Sequence, residues 1–364
     1  MIITPKPNIF RKHKIRTPIN YLKILLLLTT VIFSLNCFSR PIKIGVISDL
    51  HFLSKELMKD SAALIQYSEK SGREIQNIPY ILDKVLEDYT ESDIDILLIP
   101  GDLTKDGEKE SHLELSTRLK QLIDKGIRIY VIPGNHDINM PNSVGFENGK
   151  TYSVENVSPE EFKDIYQYCG YNSAIKADTA SLSYVTQLTE NTWLLAIDGC
   201  LYRQYTTSSL SGGKINEHTE KWILGVLAEA KEKDIQVISM MHHGLVEHIP
   251  YQSMFFPQYL ITDWKRITDL LADNGVQVIF TGHFHSNDIT EYTSKNKNKI
   301  YDIETGALCS YPYPYRFAEL SKDSLTITTK NITSIPQDTL LSEHGKSLMK
   351  SLSNSIAKQK SKGI

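Results

Sequence analysis

From Pro41 onward the chain alternates between two hydrophobic rhythms. Short apolar runs over Ile42–Ser48, Ile94–Ile99 and Ile127–Ile132 predict buried strands. The second stops at Pro100-Gly101 and the third at Pro133-Gly134. Between them the apolar spacing turns helical. Tyr80–Tyr89 puts Ile81, Leu82, Val85, Leu86 and Tyr89 on one face, and Glu110–Lys125 does the same with Leu115, Leu119, Leu122 and Ile123 before Gly126 ends it. The alternation resumes with a strand at Thr192–Ile197, a helix at His218–Lys233 and a strand at Ile235–Met241. A helix at Thr262–Ala272 and a strand at Val276–Thr281 follow. Past Ile300 strand-like runs dominate, at Ile300–Ile303, Phe317–Leu320 and Ser324–Thr329. The stretch Asn139–Leu188 is irregular and polar and reads as a long insertion over one end of the sheet, with a short helix near Pro159–Tyr168. Strands and helices in alternation, then strands, predict an α/β layered domain over residues 41–330. Residues 334–364 are polar and rich in Lys and Ser, which predicts a helix or tail outside the core.

The chain has 364 residues, 41% of them hydrophobic and 23% charged, the balance of an ordinary globular protein. Its net charge of -3 offers no basic groove for nucleic acid and argues against a nuclease. Residues 1–38 differ from the rest. Lys6, Arg11, Lys12, Lys14, Arg16 and Lys23 precede an apolar run from Ile24 to Phe33. A basic start and a short apolar centre form a secretory signal, and the run falls short of the roughly 20 residues that span a bilayer. The expectation is an exported, periplasmic or membrane-anchored protein of a bacterium. Ser34-Leu35-Asn36-Cys37 resembles a lipoprotein signal in which Cys37 would carry a lipid anchor, although Asn36 departs from the usual small residue. Simple cleavage nearby is the alternative. Cys169, Cys200 and Cys309 remain, allowing at most one disulfide and no zinc-finger spacing.

Five polar blocks each follow a predicted strand. They are Asp49-Leu50-His51, Gly101-Asp102, Gly134-Asn135-His136-Asp137, Met241-His242-His243 and Gly282-His283-Phe284-His285. Open α/β sheets bind ligands beyond the carboxyl ends of their strands, so the blocks are expected to converge. Each alone is common turn chemistry; five in series are not. Carboxylates bridge two cations, while imidazoles and amide oxygens cap them. Nitrogen and oxygen donors without thiolate suit Mn, Fe, Zn or Ni.

In this order the blocks resemble the calcineurin-like metallophosphoesterase family. Gly101–His112, Pro133–Asn139 and Ser181–Tyr184 resemble its bacterial cyclic-nucleotide phosphodiesterase-like branch. The resemblance implies a four-layer αββα sandwich of two mixed sheets with helices on both outer sides. It implies two divalent or trivalent metal ions. Asp49, His51, Asp102 and His285 would hold the first, and Asp102, Asn135, His242 and His283 the second, with Asp102 bridging. His242 is preferred to His243 because it follows the last strand residue. His136 would face the substrate phosphate, with Asp137 orienting it. A hydroxide bridging the metals would attack the phosphorus of a small-molecule phosphoester. A phosphodiesterase is the leading expectation. A phosphomonoesterase of the same fold, or a catalytically silent metal-binding lipoprotein, are the alternatives. Lys105, Lys109 and Arg316 are candidate phosphate contacts. Tyr311, Tyr313 and Tyr315 are candidates for stacking on a base, with ordinary packing the favoured reading.

Overall fold

A computed structural model describes residues 40–362 of the chain. The chain divides into two units, Met1–Pro41 and Ile42–Ile364, and the second is described below. The expected export segment over residues 1–38, with Cys37, lies outside the described residues. Among the described residues no helix is long and apolar enough to cross a membrane.

The first half of the unit runs β1 (Ile42–Val46), α1 (Ser61–Ser71), α2 (Ile78–Glu91), β2 (Ile96–Pro100), α3 (Lys109–Ile123) and β3 (Arg128–Ile132). A hairpin follows, β4 (Val144–Glu147) with β5 (Lys150–Ser153), then α4 (Pro159–Ile165), β6 (Ala174–Ala177), β7 (Tyr184–Thr189) and β8 (Thr192–Ile197). Next come α5 (Glu217–Glu232), β9 (Gln236–Met241), α6 (Gln252–Phe255), α7 (Trp264–Asp273) and β10 (Val278–Thr281). The chain closes with β11 (Asp288–Thr293), β12 (Lys299–Glu304), β13 (Pro314–Leu320), β14 (Leu325–Asn331) and α8 (Leu341–Lys362).

Two mixed sheets result. One has the order β14-β13-β1-β2-β3, the other β11-β12-β10-β9-β8-β7-β6. β1, β2 and β3 are parallel, with Ile44 beside Ile96 and Leu98 beside Tyr130, and β13 joins β1 antiparallel. In the second sheet β8, β9, β10 and β12 are parallel, and the outer strands are antiparallel. Alternation along the central strands builds the layers. Leu194, Ala196, Ile238, Met240, Val278 and Phe280 share a core with the first sheet and with α2 and α3. Their neighbours Trp193, Leu195, Ile197, Val237, Met241 and Ile279 pack instead against Ile223, Val226 and Leu227 of α5 and Ile267 and Leu271 of α7. The architecture is the expected α/β sandwich of mixed sheets flanked by helices.

Two stretches differ from the sequence reading. Within Asn139–Leu188, β6 and β7 extend the second sheet, so this part is not an insertion. Their signal is masked because Ile175 on the edge strand faces outward, 45% exposed. At the other end, α8 is tied to the core by fully buried Leu341, and its Met349 and Leu352 pack at Gly72, the C-cap of α1.

The loop after β9 is anchored by buried charge. Asp302 on β12 accepts the N–H groups of Leu245 and Val246 at 2.7 and 3.0 Å and the Thr281 hydroxyl at 2.5 Å. His248 sits among carboxylates, with Nδ1 3.1 Å from Asp288 Oδ2 and Nε2 3.4 Å from both Asp302 and Glu304. Arg316 on β13 faces the same group and donates to the carbonyls of Asp288 and Glu304. Burial opposes charge on His248, but the carboxylates outweigh it and raise its pKa from 6.5 to about 9. Burial also pushes the Glu304 carboxyl well up, so both groups hold protons more tightly when folded. The stabilisation from His248 is therefore complete below about pH 6.5 and is lost as pH rises through about 9. Melting temperature should fall between pH 6.5 and pH 9, and His248→Gln should shallow that fall. Parallel profiles for the two proteins would remove His248 from the account.

Candidate metal centre

All five polar blocks lie at the carboxyl ends of central strands, at the seam between the two sheets. Asp49 and His51 follow β1, Asp102 follows β2, Asn135 and His136 follow β3, His242 follows β9, and His283 and His285 follow β10. Backbone bonds lock neighbouring loops together. His51 N–H donates to Asp102 O at 3.0 Å, and Gly282 N–H to His242 O at 3.1 Å. The Asp49 carboxylate accepts the backbone N–H of His283 at 3.0 Å, joining one sheet's strand end to the other's.

The local backbone is forced. Asp49, His51, Asp102, His283 and His285 all have positive φ, between 43° and 74°. Each such residue costs on the order of 1 kcal/mol, and such strain gathers where side chains must be aimed. In Asp49-Leu50-His51 the fully buried Leu50 anchors the loop while its two neighbours swing to one place. Glycine supplies the closest approaches. A Cβ on Gly134 would collide with the backbone N and carboxylate of Asp102, and one on Gly101 with the ring of His242.

The side chains form three overlapping groups: Asp49, His51 and His285; His51, Asp102 and His136; Asp102, His242 and His283. Asp102 has its two oxygens turned to different imidazoles. Oδ2 is 3.5 Å from His51 Nε2, and Oδ1 is 3.4 Å from His242 Nε2. Asp49 Oδ1 lies 3.2 Å from His285 Nε2. Asn135 Oδ1 lies 3.1 Å from His242 Nε2.

Three observations test whether this set fits metal ions. Both ring nitrogens of His51 are buried without a hydrogen-bond partner. Buried polar atoms are rarely left so without a reason. His242 Nδ1 donates to Pro100 O at 3.0 Å, so in the neutral ring Nε2 is a lone pair aimed at two further acceptors, Asn135 Oδ1 and Asp102 Oδ1. His283 Nε2 donates to Gln258 O at 3.2 Å, leaving Nδ1 as its free lone pair. Acceptors facing acceptors repel unless a cation lies between them. The outer hydrogen bonds on both imidazoles are those that fix the tautomer of a metal-binding histidine. The residues fit two closely spaced metal ions, and the donors are nitrogen and oxygen throughout.

Charge has the same pattern. Burial is the largest influence on Asp102 and drives its pKa up to about 8; the charge of His136 opposes this, while Asp49 and Asp137 add to it. Burial opposes charge on Asp49 as well, but His285, His242 and the Ser48 hydroxyl together outweigh it and hold its pKa at about 2. Burial first, and then the charge of Arg73, push the His51 pKa well below 6.5. The imidazole is held neutral, the form that binds a metal.

His136 stands at the mouth. Its side chain is 20% exposed, and that of His285 29%, while Asp49, His51, Asp102 and His242 are at most 1% exposed. The ring of His136 meets His51 edge-on, centroids 4.8 Å apart. The side chain that orients His136 is Asp106, whose Oδ1 is 2.8 Å from Nδ1. Asp137 does not touch the imidazole. It is fully buried and accepts the backbone N–H groups of Leu103, Thr104 and Gly134. Asp137 therefore shapes two loops, and Asp106 is the residue that sequence reasoning missed. The only trace of Asp106 in the sequence is its place four residues after Asp102. His243 packs beside His242 and His283 but is in none of the three groups, and its Nε2 donates to Ser211 O at 3.0 Å. Lys105 is paired with Asp106 and Glu108, Lys109 with Glu161, and Arg316 is buried on carbonyls. Tyr313 and Tyr315 belong to the hydrophobic core.

Gly134→Ala should eject metal by displacing Asp102, although residue 134 itself offers no side-chain donor. Elemental analysis should show well under the wild-type metal content in protein that keeps its far-ultraviolet circular dichroism. Wild-type occupancy would show that the close approach at Gly134 is not required.

Comparison with known proteins bears on the family and the fold. The family model described as calcineurin-like phosphoesterase matches residues 42–287. Among solved structures, a dimetal phosphatase from Danio rerio superposes with a TM-score of 0.53 at 13% identity, covering 80% of this chain and 97% of that one. A purple acid phosphatase from yellow lupin, Lupinus luteus, gives a TM-score of 0.49 at 14% identity, covering 80% of this chain and 52% of that one. No curated protein sequence gives a match. With the family pattern spanning most of the chain and a paired metal-ligand cluster at its strand ends, this protein belongs to the calcineurin-like phosphoesterase family and carries the active site of a metal-dependent phosphoesterase.

Proposed function

We propose that the chain hydrolyses phosphodiesters. Asp49, His51, Asp102 and His285 would hold one ion, and Asp102, Asn135, His242 and His283 the other. The observation that carries this reading is the Asp102 carboxylate, with one oxygen facing His51 and the other facing His242. A carboxylate so placed would serve both ions. When bound, the ion pair supplies Lewis acidity, neutralising phosphate charge and making a nucleophile available near neutral pH.

The chain's own residues provide the rest. Asp106 accepts the Nδ1–H of His136, which fixes the tautomer and leaves Nε2 free to carry a proton. Burial opposes the charge on Asp106, but the bonds to His136 and Lys105 hold its pKa at about 2. A carboxylate that stays ionised stabilises the imidazolium. His136 then gives its Nε2 proton to the departing alkoxide and takes one back when the site resets. Sharing of roles between His136 and Asp106 follows the logic of an oriented acid–base pair.

The choice of diester over monoester rests on the likeness of Gly101–His112 to the cyclic-nucleotide phosphodiesterase-like branch. Placement outside the cytoplasm is part of the same proposal and rests on the sequence of residues 1–38. With Mn added, kcat/KM should be higher for bis-p-nitrophenyl phosphate than for p-nitrophenyl phosphate. The reverse order would make the protein a phosphomonoesterase. No turnover of either by metal-loaded protein would make it a metal-binding protein without catalysis. His136→Ala should keep both metals and lose about 10²–10⁴ in kcat. Undiminished turnover in that variant would refute the role given to His136.

A further inference from the structure

Arg73 belongs to none of the five blocks, yet it is delivered to the metal centre. It lies in the turn between α1 and α2. Gly72, with φ 74°, ends α1 and reverses the chain. Both neighbours of Arg73 are then pinned to one short segment. Gly72 O accepts the Ser310 hydroxyl at 3.0 Å, and Glu74 N–H donates to Cys309 O at 2.6 Å. That segment lies on the end of β1, where Leu308 N–H donates to Ser48 O at 3.0 Å. Ser48 is next to Asp49. Behind the turn, α8 closes the space, since a Cβ on Gly72 would stand 2.9 Å from Met349 Sδ and 3.0 Å from Leu352.

The guanidinium itself has one hydrogen-bond partner, the Tyr67 hydroxyl, 3.4 Å from Nη1. Among the described residues no carboxylate lies within ion-pairing distance of it. Several other described cations are compensated. Arg118 pairs with Asp83 and Glu114, and Arg266 with Glu220. Lys105, whose Nζ lies 5.3 Å from the centroid of the same Tyr67 ring, is matched by Asp106 and Glu108. The Arg73 turn is fixed at the end of β1, and the partner Tyr67 also faces Lys105, the ion-pair partner of the Asp106 that orients His136. The charge of Arg73 reaches the site, helping to hold the His51 pKa down and also acting on Asp102. A half-buried guanidinium with one long hydrogen bond and no carboxylate partner has donors left to offer an anion.

We propose that Arg73 is a phosphate-binding residue of the crevice, its guanidinium taking two non-bridging oxygens of the substrate's phosphoryl group beside His51. The planar fork of arginine matches two such oxygens, which a lysine ammonium does not. The inference rests on the reading of the metal centre as a phosphoesterase site and names how that site recognises its ligand's charge.

Inorganic phosphate titrated calorimetrically into metal-loaded protein tests it without any turnover. Arg73→Gln should weaken phosphate binding about 10- to 100-fold, the loss of a charge-assisted fork. Arg73→Lys should fall between the two. Metal content and melting temperature should stay at wild-type values in both variants, and KM for the ester should rise by the same factor with kcat little changed. Wild-type phosphate affinity in Arg73→Gln would overturn the proposal. So would a wild-type protein that binds no phosphate in the millimolar range, or loss of metal from both variants, which would make Arg73 a structural residue. Phosphate binding that depends on Arg73 in a protein that turns over no ester would uphold this inference while refuting the proposed function. Ester turnover with phosphate binding indifferent to Arg73 would do the reverse.

Discussion

The Asp102 carboxylate is the point on which the site depends. It is 1% exposed, and burial pushes it toward its neutral form. Yet its oxygens face His51 on one side and His242 on the other, and Oδ1 also accepts the backbone N–H of His136 at 2.9 Å. A buried acid placed among lone pairs is a poor structural element. With a cation on each side it would become a bridge, because each ion would offset the desolvation of a donor that is otherwise unsatisfied. The same logic covers the partnerless nitrogens of His51 and the three acceptors that meet at His242 Nε2.

The fold exists around this constraint. Parallel strands from two sheets end at one seam, so short loops from β1, β2, β3, β9 and β10 reach a common place. Positive φ at five ligand-bearing residues stores strain that the core on both sides must offset. Glycines at 101 and 134 let backbone pass where a methyl group would collide with His242 or Asp102. Outer contacts then hold the rings in place: Pro100 O on His242, Gln258 O on His283, Asp106 on His136. Asp302 and His248 brace the loop that follows β9 from further away.

Much of this was legible in the sequence because it is local. Buried parallel strands read as unbroken apolar runs, and each ligand block follows one directly, so the predicted strand ends also predicted the site. Thr192–Ile197 is a strand with the very bounds its apolar run suggests. What could not be read depends on partners distant in the chain. β6 is an edge strand that turns Ile175 outward, so its pattern resembles a loop. α1, Ser61–Ser71, carries only Leu64 and Ser68 as buried residues, too little periodicity to announce a helix. Asp106 gains its importance from Lys105 and His136, and Arg73 from a turn held by Ser310 and Cys309. No spacing in the sequence connects those residues. Asp137 was expected to orient His136, but the loop turns its carboxylate inward to backbone N–H groups.

The central claim is that a single carboxylate holds two ions together. Crystals grown with Mn and measured at the Mn absorption edge test it directly. The account predicts two anomalous peaks about 3.5–4 Å apart. One would lie among Asp49, His51 and His285, the other among Asn135, His242 and His283, with Asp102 in contact with both. A lone peak, or two peaks that do not share Asp102, would contradict it.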